Sequence, residues 1–445
     1  MSFPRYSSYK NSGVEWLGDV PEHWEVTRLK RIVDPERQIT YGIVQAGPHV
    51  PDGTPYVRPA DMTDEQGIPV SNEVLRTSQE VASAYSRSTI REGDIVCSIG
   101  PSFGKVMVTP KWLHGANLTQ GTARVAVHGP YNARYVFWTL RSPSSVAQWE
   151  SSVGGATFRA LNLGPLAETA ILVPSEAEQT SIAEFLDRET AKIDDLVVEQ
   201  RRLIELLKEK RQTVISQVVT KGLILNTPMK PSDVEWLDDV PAHWEVTRIA
   251  NIFHEVAEAG IDDLPILSVS IHHGVSDKEI EEEDLDRKVT RSEDRSKYKQ
   301  VAPGDLVYNM MRAWQGGFGT VTVAGMVSPA YIVARPQRPL NTSYIEHVLR
   351  TPQAVEQMRR HSRGVADFRL RLYWDEFKNI RVALPPLEEA TEICARIVEM
   401  EGKFNAMAAA CEESISLLQE RRTALISAAV TGQIDVRGLA KSEAA

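Results

Sequence analysis

The stretch VEWLGDVPEHWEVTR at residues 14–28 returns as VEWLDDVPAHWEVTR at residues 234–248, with thirteen of the fifteen positions identical. A match of that length is beyond chance, so the chain is internally duplicated. Each copy sets two tryptophans around an Asp-Val-Pro turn, which predicts a packed structural corner with buried indoles more than a contact site. Outward from the corner the echo continues at a shift of 211, Gly93-Asp94-Ile95-Val96 against Gly304-Asp305-Leu306-Val307. At a shift of 210, Phe158-Arg159 answers Phe368-Arg369. A third echo sets ELLKEKRQTVISQVVT at 205–220 against SLLQERRTALISAAVT at 416–431. Both halves therefore run in the same order: corner, variable globular part, long helix.

The helices carry a seam with steps of three and four residues, the spacing that makes helices supercoil together. Positions 182, 186, 189, 193, 196, 200, 203, 207, 211, 214 and 218 read Ile, Leu, Glu, Ile, Leu, Gln, Leu, Leu, Arg, Val, Val, and the same positions plus 211 form a similar line. Pro174 and Pro385 precede the two helices, and Gly222 and Gly432 offer stops. A helix of about 45 residues reaches roughly 65 Å, the length of about 20 DNA base pairs, so each is read as a spacer. Packing of each helix on its own domain alone is the competing reading.

The globular parts read as mixed β structure, with apolar runs at 93–99, 106–108 and 122–127 and second copies at 304–310, 321–323 and 331–334. Short helices are expected at 133–141 and 343–350. Between the Gly-Asp strand and the Phe-Gly-x-Val strand, the loop covers 97–102 in the first copy and 308–317 in the second, four residues longer. A shared frame with unlike loops is how a scaffold presents two specificities.

At 445 residues the chain is long enough for two or three domains, and 42% hydrophobic with 25% charged residues is a globular composition. No apolar run approaches the roughly 18 residues needed to cross a bilayer, and the first residues lack a signal-peptide core, so a soluble cytoplasmic protein is expected. Cys97, Cys394 and Cys411 form no metal or disulfide spacing. The net charge of −10 is awkward for a nucleic-acid binder. Residues 28–173, however, carry 14 basic and 12 acidic groups, and residues 248–384 carry 19 of each, so local patches must decide.

No catalytic signature is found. The phosphate loop, HExxH and GxSxG are absent, Gly316-Gly317-Phe318-Gly319 does not match GxGxxG, and the Asn-Pro-Pro-aromatic run of amino-methyltransferases is missing. His272-His273 has no partner at ligand spacing, and the acidic run 279–286 reads as a solvated loop. No catalytic residue, metal site or resident cofactor is therefore assigned. Basic and aromatic residues interleave at Asn309, Arg312, Trp314 and Gln315, and again from Arg359, Arg360 and His361 through Arg363, Arg369 and Arg371. Such mixtures suit phosphate positioning and base-edge contacts. In the first copy the DNA-contact candidates are Arg58, Ser98, Ser102, Lys105, Asn117, Gln120 and Arg159, and for any one of them ordinary surface or fold support is an equal alternative.

These features resemble the specificity subunit of type I restriction-modification systems over nearly the whole chain. The corner, the Gly-Asp-Ile strand, Pro-Pro-Leu-Glu-Glu at 385–389 and LLxExRxxLIS at 417–427 occur in the family's order, largely twice. The resemblance implies an α+β fold: two globular mixed α/β target-recognition domains separated by two long antiparallel helices in a coiled coil, with pseudo-twofold internal duplication. The expected boundaries are 1–173 for the first domain, 174–225 for the central helix, 226–384 for the second domain, 385–437 for the last helix and 438–445 for a tail. It further implies a bipartite double-stranded DNA site, two methyltransferase subunits and restriction/translocase subunits as partners, and no membrane. S-adenosylmethionine, ATP and Mg would belong to those partners, which methylate adenine N6, translocate and cleave. The first helix start departs from the pattern, reading Pro174-Ser175-Glu176-Ala177-Glu178-Gln179, and Ala390 stands where the first copy has Gln179. The rival reading is a coiled-coil protein scaffold without DNA specificity.

Overall fold

The computed structural model describes residues 3–63, 74–153, 159–224, 226–261, 263–271, 274–279, 294–364 and 370–439. The chain divides into two compact units, residues 1–200 with 413–445 and residues 201–412.

Each unit opens on the repeated corner, a short antiparallel ribbon of Tyr9–Asn11 with Asp19–Pro21 in the first and Met229–Pro231 with Asp239–Pro241 in the second. The bends between these strands need positive φ. Gly13 (72°) and Gly18 (61°) supply it in the first copy, whereas Asp233 (55°) and Asp238 (51°) adopt it in the second. Asp is among the few non-glycine residues that tolerate the left-handed region. Only one tryptophan of each corner is fully packed: Trp24 and Trp244 are buried, but Trp16 is 39% exposed and Trp236 half-buried. Trp24 Nε1 donates to Glu178 at the start of the helix that follows, and Trp236 packs against the edge of the second core.

The heart of each unit is a four-stranded antiparallel sheet. Its order is Thr40–Tyr41, Thr122–Val125, Ile95–Ser98, Val106–Val108 in the first unit and Phe253–Val256, Tyr331–Pro336, Leu306–Asn309, Phe318–Thr320 in the second. The strand expected at 321–323 is thus replaced by Phe318–Thr320. Register explains why: Cys97 faces Val106 and Tyr308 faces Phe318, so Val106 corresponds to Phe318 and the matching Phe-Gly-x-Val letters are out of step. Ser98 N–H donates to Lys105 O and Asn309 N–H to Gly317 O, leaving loops 99–104 and 310–316 that differ by one residue, not four. The repeated Gly-Asp serves the fold. Asp94 accepts from Arg91 N–H (2.6 Å) and pairs with Arg37, while Asp305 accepts from Ala302 N–H (2.9 Å) and pairs with Arg335.

Helices Ala133–Leu140 and Thr342–Leu349 follow, capped by the Asn132 and Asn341 side chains, and then Pro143–Ser152 and Pro352–His361, each with proline in its first turn and a Ser or Thr cap. A two-stranded ribbon returns to the corner, Glu25–Arg28 with Ala170–Val173 and Glu245–Arg248 with Arg381–Leu384. From there the long helices begin, Glu176–Lys221 and Leu387–Val430, stopped by Gly222 and Gly432 at positive φ.

Each unit holds the start of one long helix and the end of the other. In the first, Ile182, Leu186 and Ile193 share a core with Leu425, Ile426, Ala429 and Val430, and Arg422 donates to Asp194 at 2.8 Å. In the second, Ile215 and Val219 share one with Ala390, Ile393 and Ile397. Within each unit the two helices run antiparallel. The inward line passes through buried 193, 197 and 215 and half-buried 200, 204, 207 and 211, so Leu196 (50%) and Leu203 (43%) of the expected seam lie exposed. Adjacent apolar pairs, Leu196-Val197, Leu203-Ile204 and Val214-Ile215, let a three-four line be drawn through either member.

The two helix starts differ in chemistry. Ser175 Oγ accepts from Glu178 N–H (3.4 Å) while the Glu178 carboxylate reaches back to Ser175 N–H (3.2 Å), a capping box. The same buried carboxylate accepts from His23 Nε2 (2.9 Å) and Trp24 Nε1 (3.4 Å). Burial works to raise its pKa, but the bonds from His23 and Ser175 prevail and hold it below the ordinary value. In the second copy Pro386 replaces the cap serine, Glu389 keeps only the His243 bond (2.7 Å), and Trp244 Nε1 has no partner among the described residues. Gln179, where the second copy has Ala390, is also fold support: its side chain accepts from Asn132 N–H and donates to Pro174 O.

Candidate nucleic-acid interface

In the second unit the two basic and aromatic clusters meet. Asn309 ends a sheet strand, and its Oδ1 accepts from Met311 N–H at 3.0 Å. Arg312 Nη1 donates to Gln315 Oε1 (3.2 Å), and Trp314 Nε1 to Met311 O (3.0 Å). The loop closes through a 3-10 turn at Ala313–Gln315 and left-handed Gly316. Its own bonds thus pre-shape it. The second cluster is pinned by reciprocal backbone bonds between Arg363 and Arg371, 2.9 and 3.0 Å, and Leu372 N–H donates to Met310 O at 2.9 Å. Between the clusters lies an open cavity of about 790 Å³ lined by Met311, Arg363, Arg371, Tyr373 and Glu376, among others.

Its chemistry is mixed. Arg363 pairs with Glu376, whereas the exposed Arg371 side chain has no partner among the described residues. Met311 and Tyr373 present large exposed apolar surfaces beside it. Such a groove offers a forked cation to a phosphate or base edge and an apolar rim to a base face or methyl group. Arg359 and Arg360 are committed to Glu356 on their own helix. Arg369, like His272-His273 and most of the acidic run, lies outside the described residues.

The first unit places its candidates less compactly. Ser102 and Lys105 line a cavity of about 400 Å³ with Phe103 and Arg141. Lys105 Nζ donates to Met62 O at 2.8 Å. Burial brings the Arg141 guanidinium down to about 10, with the neighbouring Arg422 charge adding to the effect. Arg58 is tied to Asp61, and that bond raises its pKa. Arg159 pairs with Glu150 at 3.4 Å, and Gln120 is exposed. Two candidates drop out. Ser98 is buried and its Oγ accepts from Lys105 N–H, and Asn117 is buried and donates to Ala82 O and Tyr85 O. Their polar groups are spent inside the fold. Among the described residues, no three His, Cys, Asp or Glu gather where they could hold a metal ion, and no helix is long and apolar enough to cross a membrane.

Residues 21–206 match the family model of the type I restriction modification DNA specificity domain. Among curated proteins, the chain is 24% identical over 199 residues to the type I restriction enzyme EcoBI specificity subunit of Escherichia coli, covering 44% of this chain and 41% of that protein. It is 21% identical over 240 residues to the MjaIX specificity subunit of Methanocaldococcus jannaschii, covering 53% of each. The matched part of the chain thus spans about half the length of these relatives. Two solved structures share the fold nearly end to end. The HsdS subunit from Thermoanaerobacter tengcongensis aligns with 93% of this chain and 98% of its own at a TM-score of 0.52 and 16% identity. A chain solved in work on assembly and conformational transition of the type I R-M system aligns with 92% and 98%, at 0.58 and 17%.

Proposed function

We propose that this chain, a specificity subunit of the type I restriction-modification family, reads a two-part DNA sequence, one part with each globular domain, and scaffolds the subunits that modify and cut. One observation carries this reading: the same sheet, helices and ribbon are built twice, and the same hairpin position presents Ser102, Phe103 and Lys105 in one copy but Met311, Arg312 and Trp314 in the other. A frame kept while its surface diverges fits two different half-sites. The domains at 1–173 and 226–384, carried on the helices at 174–225 and 385–437, would set the gap between the half-sites.

Catalysis is assigned to partners. Two methyltransferase subunits would use S-adenosylmethionine, and restriction/translocase subunits ATP and Mg, in the cytoplasm. The partners also supply phosphate contacts, which makes a net charge of −10 workable. The test is methylome sequencing of the host with and without this chain. A single bipartite adenine-methylated motif that vanishes on deletion supports the reading, and an unchanged methylome overturns it in favour of a protein scaffold.

A further inference from the structure

Within the unit at 201–412, Arg248 and Arg381 stand directly opposite each other in the ribbon Glu245–Arg248/Arg381–Leu384. The adjacent Ile249 N–H donates to Ile380 O at 2.9 Å, which makes the arginine position the close, non-hydrogen-bonded kind, with Cα atoms about 4.5 Å apart. Both side chains are exposed, and neither has a hydrogen-bond or ion-pair partner among the described residues. Like charges directly opposite on a ribbon destabilise it. The neighbouring carboxylates are already engaged, Asp375 with Lys378 at 2.6 Å and Glu245 with Arg338 at 2.9 Å.

The other copy is an internal control. There Arg28 faces Ala170 and donates to Glu168 O, and the Glu168 carboxylate pairs with Lys30. The second copy has Asn379 at the place of Glu168 and Ala250 at the place of Lys30. The first ribbon thus meets its own counter-charge, and the second doubles the cation and deletes the anion.

We propose that Arg248 and Arg381 bind the phosphodiester backbone of duplex DNA beside the reading groove, a site that rests on the DNA-reading assignment above. Two forked guanidiniums without a counter-ion match phosphate oxygens. Lys378, Asn379 and Asn251 around them give a polar, cationic setting in place of the apolar core of a protein interface. The connection to the groove is short. Asp375 and Glu376, within the single helical turn Trp374–Phe377, line it, and Ala250 N–H donates to Lys378 O, the residue just past that turn, at 2.9 Å. Phosphate contacts position a protein without reading sequence, which suits residues on the shared frame instead of the variable loop.

The test measures binding of a labelled random-sequence duplex by the full chain, alone and with its modification subunits, across salt concentrations. The double variant Arg248→Gln, Arg381→Gln should lower the slope of log affinity against log salt by about 0.9 to 1.8, one or two phosphates. Between about 50 and 200 mM salt it should lose roughly 3- to 12-fold less affinity than wild type. Arg381→Gln alone, at a position where the other copy carries Ala170, should give about half of this, and the double Lys variant should recover the slope. A wild-type slope in Gln variants that melt at or above wild type overturns the proposal. So does a wild-type slope combined with lost binding to the modification subunits, which would make the pair a protein contact. If the wild-type protein shows no salt-dependent binding to any duplex, alone or assembled, the DNA-reading assignment itself fails.

Discussion

Glu178 and Glu389 occupy the same place in the two copies, yet their removal should cost very different amounts. Glu178→Ala deletes the acceptor for Trp24 Nε1 and leaves a buried N–H unpaired, at about 1 to 3 kcal/mol. It also breaks the capping box with Ser175, about 1 kcal/mol. The bond to half-exposed His23 adds under about 1 kcal/mol. The total is about 2 to 5 kcal/mol. Glu389→Ala loses only the bond to half-exposed His243, because Trp244 Nε1 is already unpartnered, and should cost under about 1 kcal/mol. Urea unfolding followed by indole fluorescence at neutral pH measures both. The folded-state pKa of Glu178 is depressed, so its contribution is present above the unfolded value near 4.3 and is lost as pH falls through the folded value. The gap between wild type and Glu178→Gln should therefore narrow under acid. Equal losses for the two alanine variants, within about 0.5 kcal/mol, would refute the reasoning.

The purified chain incubated with S-adenosylmethionine and its target duplex should transfer no methyl group, and transfer without a partner would contradict the assignment of catalysis elsewhere. Lengthening both long helices by four residues at facing positions adds about 6 Å, nearly two base pairs, and should widen the gap in the methylated motif while leaving its half-sites unchanged. An active complex with an unchanged gap would count against helical spacing. Arg312→Ala with Gln315→Ala should cost about 1 to 3 kcal/mol of discrimination at one position of one half-site, measured with half-site variants at two salt concentrations. Full retention of specificity would move the reading surface off this loop.

The duplication, the corner, the short helices and the long helices were legible because each rests on local signals: repeated letters, caps, prolines and stop glycines. Register was not. Leu196 beside Val197 and Leu203 beside Ile204 leave the buried line undecided by one position, and only packing selects it. Phe103-Gly104 and Phe318-Gly319 looked homologous by letter, yet the sheet aligns Val106 with Phe318, so the longer second loop shrank to a single extra residue. For the site, nothing local in the sequence says that the Ser98 and Asn117 side chains turn into the fold. Tyr373 was missed for the converse reason, since an exposed aromatic near Leu372 and Phe377 reads as core.

The first unit is discontinuous in the chain, and that has a consequence for its birth on the ribosome. Leu425, Ile426, Ala429, Val430 and Val436 complete the core around Trp24, Leu186 and Ile193. At a synthesis rate of about 5 to 20 residues per second, those side chains emerge roughly 10 to 50 s after residue 200. The N-terminal domain therefore waits, with apolar surface uncovered, while residues 201–412 are made as one uninterrupted stretch. The half translated first is finished last, and a chain truncated before residue 413 should yield its second unit folded and its first exposed to proteases and chaperones.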